Sequence, residues 1–371
     1  MGRPGAAPAL SGRAVHHHAG RTGRAPARTR AGGYAVSAAA TGRPTVLVLR
    51  ALGLGDLLAG VPALRALRRA FPGHRTVLAA PAALREAAAA TGAVDALFPA
   101  AAPGRGVPDL RHWPGPPPEL AVDLHGTGPL SRDALAALTP RRLLAYARPQ
   151  GGAAGPRPRR SEHERERWCR LLRAHGVPAD SGDLLLAAPP VASPAPDAVV
   201  LHPGADAVAR CWPAERYAQV AATLAAEGHR VVLTGGPGED ALVAAVAGAA
   251  GIGPDHLFTG GLPFSRLSAL IASARLVISG DTGPAHLAAA HAVPSVTLFG
   301  PVPPSAWGPP PRRRHAVLWH TGPPGDPHGT APDPQLLRVT VDEVLTAARN
   351  RLPAAGAATP AADGEGSARV R

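Results

Sequence analysis

The chain contains no lysine: all 39 basic residues among its 371 are arginine. That absence excludes the Tyr-x-x-x-Lys pair of many nucleotide-dependent α/β enzymes and fits a genome rich in G and C. Cysteine is almost as scarce. Cys169 and Cys211 lie far apart with no CxxC or Cys/His ligand spacing, so neither a disulfide scaffold nor a structural zinc site is supported, and a reduced, cytoplasmic chain is expected. Apolar runs all fall short of the roughly 18–20 residues that span a bilayer, which argues against an integral membrane protein. The phosphate loop GxxxxGK[ST], the dinucleotide fingerprint GxGxxG and the nucleophile elbow GxSxG are missing too, and with them go P-loop enzymes, nicotinamide dehydrogenases and α/β-hydrolases.

What is present fits a globular chain. Hydrophobic content is 45 %, and Gly 43 with Pro 44 stays just under the roughly 25–30 % that marks a low-complexity sequence. At about 100–200 residues per domain, the length predicts two domains. The net charge of +13 suggests a nucleic-acid partner until its location is considered. Residues 1–43 hold seven arginines and no acid, in a Gly/Ala/Arg/Pro texture that cannot bury enough surface to order itself. They read as a disordered basic extension or a mis-assigned start, with a basic arm for nucleic acid or acidic lipid as the alternative. No nucleic-acid partner is expected for the rest.

From residue 45 the texture changes. Residues 45–50 (TVLVLR) form a β-rich run, 51–56 (ALGLGD) a glycine loop, and 57–71 a helical pattern. Further strands are predicted at 76–80, 121–124, 198–201, 230–234, 276–279 and 295–299, most of them leading into helix-compatible stretches. Alternating βα units predict parallel sheets with helices on both faces. The Pro-rich segment 187–197 (AAPPVASPAPD) reads as a linker. The expected organisation is therefore an α/β protein of two Rossmann-like domains, 44–186 and 198–352, facing each other across a cleft. A helix is expected over 341–351 and a disordered tail over 353–371.

Ligands of open parallel sheets bind beyond the C-terminal strand ends, so the loops there carry the chemistry. In the first, Gly53 and Gly55 allow a ligand to approach the backbone. Asp56 has two readings from spacing alone: an N-cap where the helix begins, or a general base on the cleft floor. In 276–290 (LVISGDTGPAHLAAA) a strand runs into Asp281, Thr282 and Gly283, and Pro284 opens a helix that carries His286 one turn in. That arrangement suits a pyrophosphate; a capped core helix is the alternative. His202-Pro203-Gly204-Ala205 and the GGPGE loop ending at Glu239 follow two more predicted strands.

Taken together these segments resemble glycosyltransferase family 9, the ADP-heptose:lipopolysaccharide heptosyltransferases and their relatives, over about residues 45–310. The matching stretches are VLVLRALGLGDLLAGVPALRALRRAFP at 46–72, DLHGTGPLS at 123–131, LHPGA and RCWPAERY within 201–217, VVLTGGPGE at 231–239, and SGDTGPAHLAAA with LFGPVPPSAWGPP within 279–310. The resemblance implies a GT-B fold, with acceptor bound mainly by 44–186 and sugar nucleotide mainly by 198–352. It implies no essential metal or other cofactor. It places the catalytic carboxylate on Asp56 and the donor-binding positions on Arg210, Glu239, Asp281, Thr282, Gly283 and His286; Gly53, Gly55, His202 and Gly204 are candidate phosphate- or acceptor-loop residues from their place after the predicted strands. The family's cation, commonly Lys, is Arg210 here. The implied activity is inverting transfer of a heptose-like sugar from an ADP-sugar to a glycan or glycolipid hydroxyl, with peripheral contact at the inner face of the cytoplasmic membrane. The alternatives are a non-catalytic sugar-nucleotide-binding protein on the same scaffold and another α/β nucleotide-sugar enzyme such as an epimerase. Arginine-bearing stretches at 111–118 and 149–160 are candidate acceptor-side loops.

Overall fold

The computed structural model describes residues 42–147, 155–159, 161–323 and 325–352. Nearly all of the predicted basic extension, the whole C-terminal tail and much of the 149–160 loop lie outside those residues.

The first half runs β1 (Thr45–Leu49), α1 (Leu54–Ala70), β2 (Arg75–Ala80), α2 (Arg85–Ala90), β3 (Ala96–Pro99), β4 (Leu120–Asp123), α3 (Pro129–Ala136), β5 (Arg142–Leu144) and α4 (Glu164–Ala174). Its strands form one parallel sheet in the order β3-β2-β1-β4-β5. The second half runs β6 (Val199–His202), α5 (Ala214–Ala226), β7 (Val231–Thr234), α6 (Asp240–Ala250), β8 (Leu257–Phe258), α7 (Phe264–Ala272), β9 (Leu276–Gly280), α8 (Gly283–Ala290), β10 (Ser295–Leu298), α9 (Pro304–Trp307), β11 (His315–Leu318), α10 (Pro334–Leu337) and α11 (Val341–Arg349). Its sheet is parallel as well, in the order β11-β10-β9-β6-β7-β8.

Both sheets reverse their strand order at the centre, between β1 and β4 and between β6 and β9. Loops leaving such a pair of strands diverge to opposite faces and leave a crevice between them. The glycine loop after β1 and the loops after β6 and β9 therefore open onto crevices by topology. The central strands are buried on both faces, which is why they read as continuous apolar runs. Val46 and Val48 pack with Leu64, Leu78 and Trp168 on one side, while Leu47 and Leu49 pack with Val77, Leu110 and Leu135 on the other. Each fully buried Val or Leu contributes on the order of 1.5–3 kcal/mol.

Helix α1 serves both halves. Its Leu57, Leu64 and Leu67 sit in the first core, and its Leu58 and Val61 join Val200, Val277, Leu287 and Ala288 of the second.

Two expectations need correction. Helix α1 begins at Leu54 rather than at residue 57, because Gly53 is extended (φ −78°, ψ −179°) and caps it, with Asp56 two residues inside. Asp56 is therefore not the N-cap: it stands at the third helical position, and its carboxylate reaches back to accept the Gly53 N–H at 3.1 Å. The strands missing from the sequence reading, β3, β5, β8 and β11, are the outer ones of each sheet, of two to four residues. A strand that short with one neighbour shows little apolar pattern.

Candidate active site in the cleft

Arg50, directly after β1, is fully buried and organises the first half of the site. Its Nε donates to the Asp56 main-chain carbonyl at 2.5 Å, Nη1 donates to the Leu124 carbonyl, and Nη2 donates to Glu164 Oε1 at 3.1 Å. The guanidinium also stands 5.2 Å from the centre of the Trp168 ring, whose Nε1 donates to the same carboxylate oxygen at 2.8 Å. One cation thus ties the ends of β1 and β4 to α1 and α4. Gly60 makes room for it, since a Cβ there would meet Arg50 Cδ at 2.9 Å.

The Asp56 carboxylate, 5 % exposed, faces the cleft. Arg105 Nη2 donates to both of its oxygens, at 2.8 and 2.9 Å. Arg105 holds a left-handed φ of 62° after Gly104 at 58°, a conformation that costs a non-glycine residue energy and points to a constrained loop. Its Nη1 lies 4.0 Å from Asp206 Oδ2, which is also 3.5 Å from Arg210 Nη2. A string of alternating charge, Asp56–Arg105–Asp206–Arg210, therefore crosses from the first half to the second. Behind it, Asp123 at the end of β4 accepts from Ser131 Oγ at 2.7 Å and from the His125 and Gly126 amides. Burial outweighs those bonds and pushes its carboxyl up to about 6.

On the second half, His202 ends β6 with Nδ1 at 3.1 Å from both the Thr234 carbonyl and its hydroxyl, and burial lowers its pKa. Its Nε2 is 3.7 Å from Glu239, whose carboxylate accepts the Gly236 N–H at 2.7 Å. Gly204 permits this packing, because a Cβ there would fall 2.1 Å from the Glu239 carboxyl group. Arg210 Nη1 donates to the Asp281 carbonyl at 3.3 Å, and its buried Nε has no partner. Thr282 caps α8 in extended conformation with Gly283 as the first helical residue, so Pro284 is the second, where its missing N–H costs nothing. His286 Nε2 stands 3.3 Å from Asp281 Oδ1, and the ring meets Trp307 edge-on at 5.8 Å.

These groups line one cavity of about 400 Å³ between the halves. Gly53, Gly55, Asp56, His202, Arg210, Glu239, Asp281, Thr282, Gly283 and His286 all reach it, and Gly204 lies behind Glu239. Arg105, Asp206, Trp307 and His328 also line it, although the sequence reading did not single them out. Asp206 directly follows the LHPGA motif and was within reach of that reading; Arg105 sits in an unpatterned Pro-Gly-Arg-Gly loop and was not. Phe258, Leu262 and Leu267 give one wall an apolar surface. Among the described residues no group of three or more His, Cys, Asp or Glu could hold a metal ion.

Two parallel-sheet α/β halves with a polar cleft between their strand ends define a GT-B protein, the class that the resemblance implied. The profile of "Glycosyltransferase family 9 (heptosyltransferase)" matches residues 176–328, about two fifths of the chain, and over that stretch the chain is similar to the family. A curated relative, lipopolysaccharide heptosyltransferase 3 of Escherichia coli, is 38 % identical over 113 residues, which is 30 % of this chain and 33 % of that protein. The match thus spans about a third of the relative's length. Among solved structures, a family 9 glycosyl transferase from Veillonella parvula DSM 2008 superposes with a TM-score of 0.65 at 20 % identity, over 82 % of this chain and 96 % of that one. E. coli heptosyltransferase WaaC, solved with ADP, gives 0.59 at 19 % identity, over 81 % and 98 %.

Proposed function

We propose that the protein is a glycosyltransferase that moves a sugar, heptose-like, from an ADP-sugar to a hydroxyl of a glycan or glycolipid in one inverting displacement without a metal. The observation that carries this reading is the cavity itself: a buried carboxylate on one wall faces an arginine, a helix start and a histidine on the other. Direct displacement needs a base for the attacking hydroxyl, stabilisation of an oxocarbenium-like centre and compensation for the departing diphosphate. Asp56 is the base. Arg210, with Nε unpartnered, and the N-terminus of α8 take the diphosphate charge. Asp281 and His286 meet the donor sugar, and Glu239 the ribose. Phe258 and Leu262 give the base an apolar wall, and the ADP bound to WaaC supports adenine there.

In this scheme Arg105 leaves Asp56 when substrates enter. Its guanidinium occupies the carboxylate that must accept a proton, and a diphosphate is the stronger attraction for it. The domain limits expected from the sequence, 44–186 for acceptor and 198–352 for donor, belong to the same proposal. So does work at the inner face of the cytoplasmic membrane on a lipid-borne acceptor; no described helix is long and apolar enough to cross a membrane.

The test is incubation of purified protein with a panel of ADP- and UDP-sugars and candidate acceptors, with products read by mass spectrometry and anomeric configuration by NMR. Transfer with inversion that survives exhaustive chelation supports the proposal. Nucleotide binding without turnover on any acceptor would instead mark a binding protein on this scaffold, and tighter binding of UDP than of ADP would reject the adenine assignment.

A further inference from the structure

Helix α4 carries four arginines, and three of them are balanced by carboxylates. Arg167 pairs with Glu164, Arg170 with Glu162 and Arg173 with Glu166. Arg165 has no such partner. It is only 9 % exposed, its Nη1 donates to the Gly308 carbonyl at 3.1 Å, and burial lowers its pKa to about 10 with no neighbouring carboxylate to oppose the shift. A buried cation without a counter-charge is costly.

That cation lines a groove of about 620 Å³ between α4 and the segment that follows α9. Arg312 and Arg314, from an arginine run that the proposed reaction does not use, stand on its rim. Arg314 Nη1 is held by the Ala292 carbonyl at 3.0 Å, which leaves the rest of its fork available. Other titratable groups in the groove do not cancel the charge. Glu166 is taken by Arg173, while burial lowers the pKa of His163 and pushes that of His315 down to about 4, so both rings are neutral at pH 7. Leu184, Leu185, Pro310 and Pro311 add an apolar wall.

We propose that this groove binds a phosphate group carried on an organic ligand, with Arg165 as its floor and Arg312 and Arg314 as its rim. Three guanidinium forks around one concavity suit a dianionic, multiply accepting group better than a single carboxylate. The walls come from both halves, Arg165 from the first and Arg312 and Arg314 from the second, so the ligand fastens α4 to the second half where His163 and Arg165 already share the Gly308 carbonyl. The site does not depend on the sugar-transfer reading.

The probe is inorganic phosphate titrated calorimetrically into the full chain against chloride at equal ionic strength. With the cleft filled by excess ADP, wild type should still bind phosphate, and an Arg312→Ser, Arg314→Ser variant should lose about tenfold or more in affinity, as expected when charge-assisted contacts are removed. Arg165→Gln should lose as much; because it alters a buried position, the surface pair keeps the test decisive if that variant does not fold. Flotation with phosphatidylcholine vesicles, with and without phosphatidic acid, separates the sources. Capture by phosphatidic acid that the rim variant abolishes assigns a lipid-borne phosphate; orthophosphate binding without capture assigns a soluble phosphate ester. Unchanged phosphate affinity in the rim variant, disappearance of phosphate binding once ADP fills the cleft, or no binding of either probe overturns the proposal.

Discussion

The two walls of the cleft are built on opposite principles. On the first, charges are already paired: Arg50 is spent on Asp56 and Leu124 carbonyls and on Glu164, and Asp56 on Gly53 and Arg105. On the second, donors stand open: Arg210 Nε has no partner, and glycines bring backbone close to the cavity. A wall with satisfied charges is rigid and must be unlocked by its ligand, whereas a wall of open donors is a preorganised anion site. The difference predicts that substitutions on the first wall act on turnover and stability, and those on the second on affinity.

The largest expected effect follows from the proposed base. Asp56→Asn keeps the size of the side chain and an acceptor for the Gly53 N–H but cannot take a proton. Transfer should fall roughly 10²–10⁴-fold, with nucleotide affinity nearly unchanged in calorimetry. Near-wild-type turnover in a folded variant would reduce Asp56 to a helix-start residue and remove the asymmetry.

Close behind is Arg50→Met, which takes the fully buried cation from the Glu164 carboxylate, leaving it Arg167 and Trp168, and strips the Asp56 and Leu124 carbonyls of their donor. Breaking such a buried pair costs about 3–5 kcal/mol, to be read as a shift of the urea midpoint. A loss below about 1 kcal/mol, the range of surface pairs, would show that the first wall is held together by packing instead.

Asp123 gives the comparison a pH axis. Its carboxyl is raised from 3.8 to about 6 by burial, so between those values the folded state holds a proton that the unfolded state has released. Stability from this group is therefore complete below about pH 4 and lost as pH rises to 6, by on the order of 3 kcal/mol. Asp123→Asn should flatten that slope in denaturation curves taken across the window. An unchanged slope would place its origin elsewhere.

Arg210→Ala removes a charge-assisted contact worth about 1.5–3 kcal/mol, so the Kd for ADP should rise roughly 10–150-fold. Folding should be little affected, since this side chain makes one hydrogen bond to a carbonyl and one loose ion pair. A wild-type Kd would move the phosphates away from this arginine.

How legible each wall was in the sequence follows from the same contrast. The second wall is built from contiguous motifs: Asp281, Thr282, Gly283 and His286 fall within six residues, and each glycine marks a close approach that the structure confirms at Gly204. The first wall is assembled from residues far apart. Arg50 meets Glu164 and Leu124, and Asp56 meets Arg105 from an irregular loop, so no local pattern announces the lock. Only Gly53, Gly55 and Asp56 were visible there. The start of α1 was misplaced for a related reason: Leu54 and Gly55 look like loop until the Asp56 carboxylate is seen capping Gly53.

The smallest effect tests where the walls touch. Gly55 on α1 faces His286 on α8, and a Cβ there would meet the ring at 2.8 Å from Cδ2 and 3.3 Å from Nε2. The ring cannot simply retreat, because Asp281 holds it at 3.3 Å and Trp307 packs against it. Against this strain, alanine in place of glycine favours the helix by up to about 1 kcal/mol. The two terms nearly cancel in stability, so Gly55→Ala should melt within about 2 °C of wild type, because unfolding entropy grows with chain length and about 1 kcal/mol moves the midpoint of a chain this long by no more than that. They do not cancel in function. Displacing His286 from Asp281 should weaken ADP-sugar binding about three- to tenfold, close to 1 kcal/mol. Gly73→Ala, with nothing within 4 Å of its added carbon, is the matched control and should change neither quantity. If Gly55→Ala binds donor as wild type does, the contact between the walls is passive and His286 belongs to the helix rather than to the nucleotide-sugar pocket.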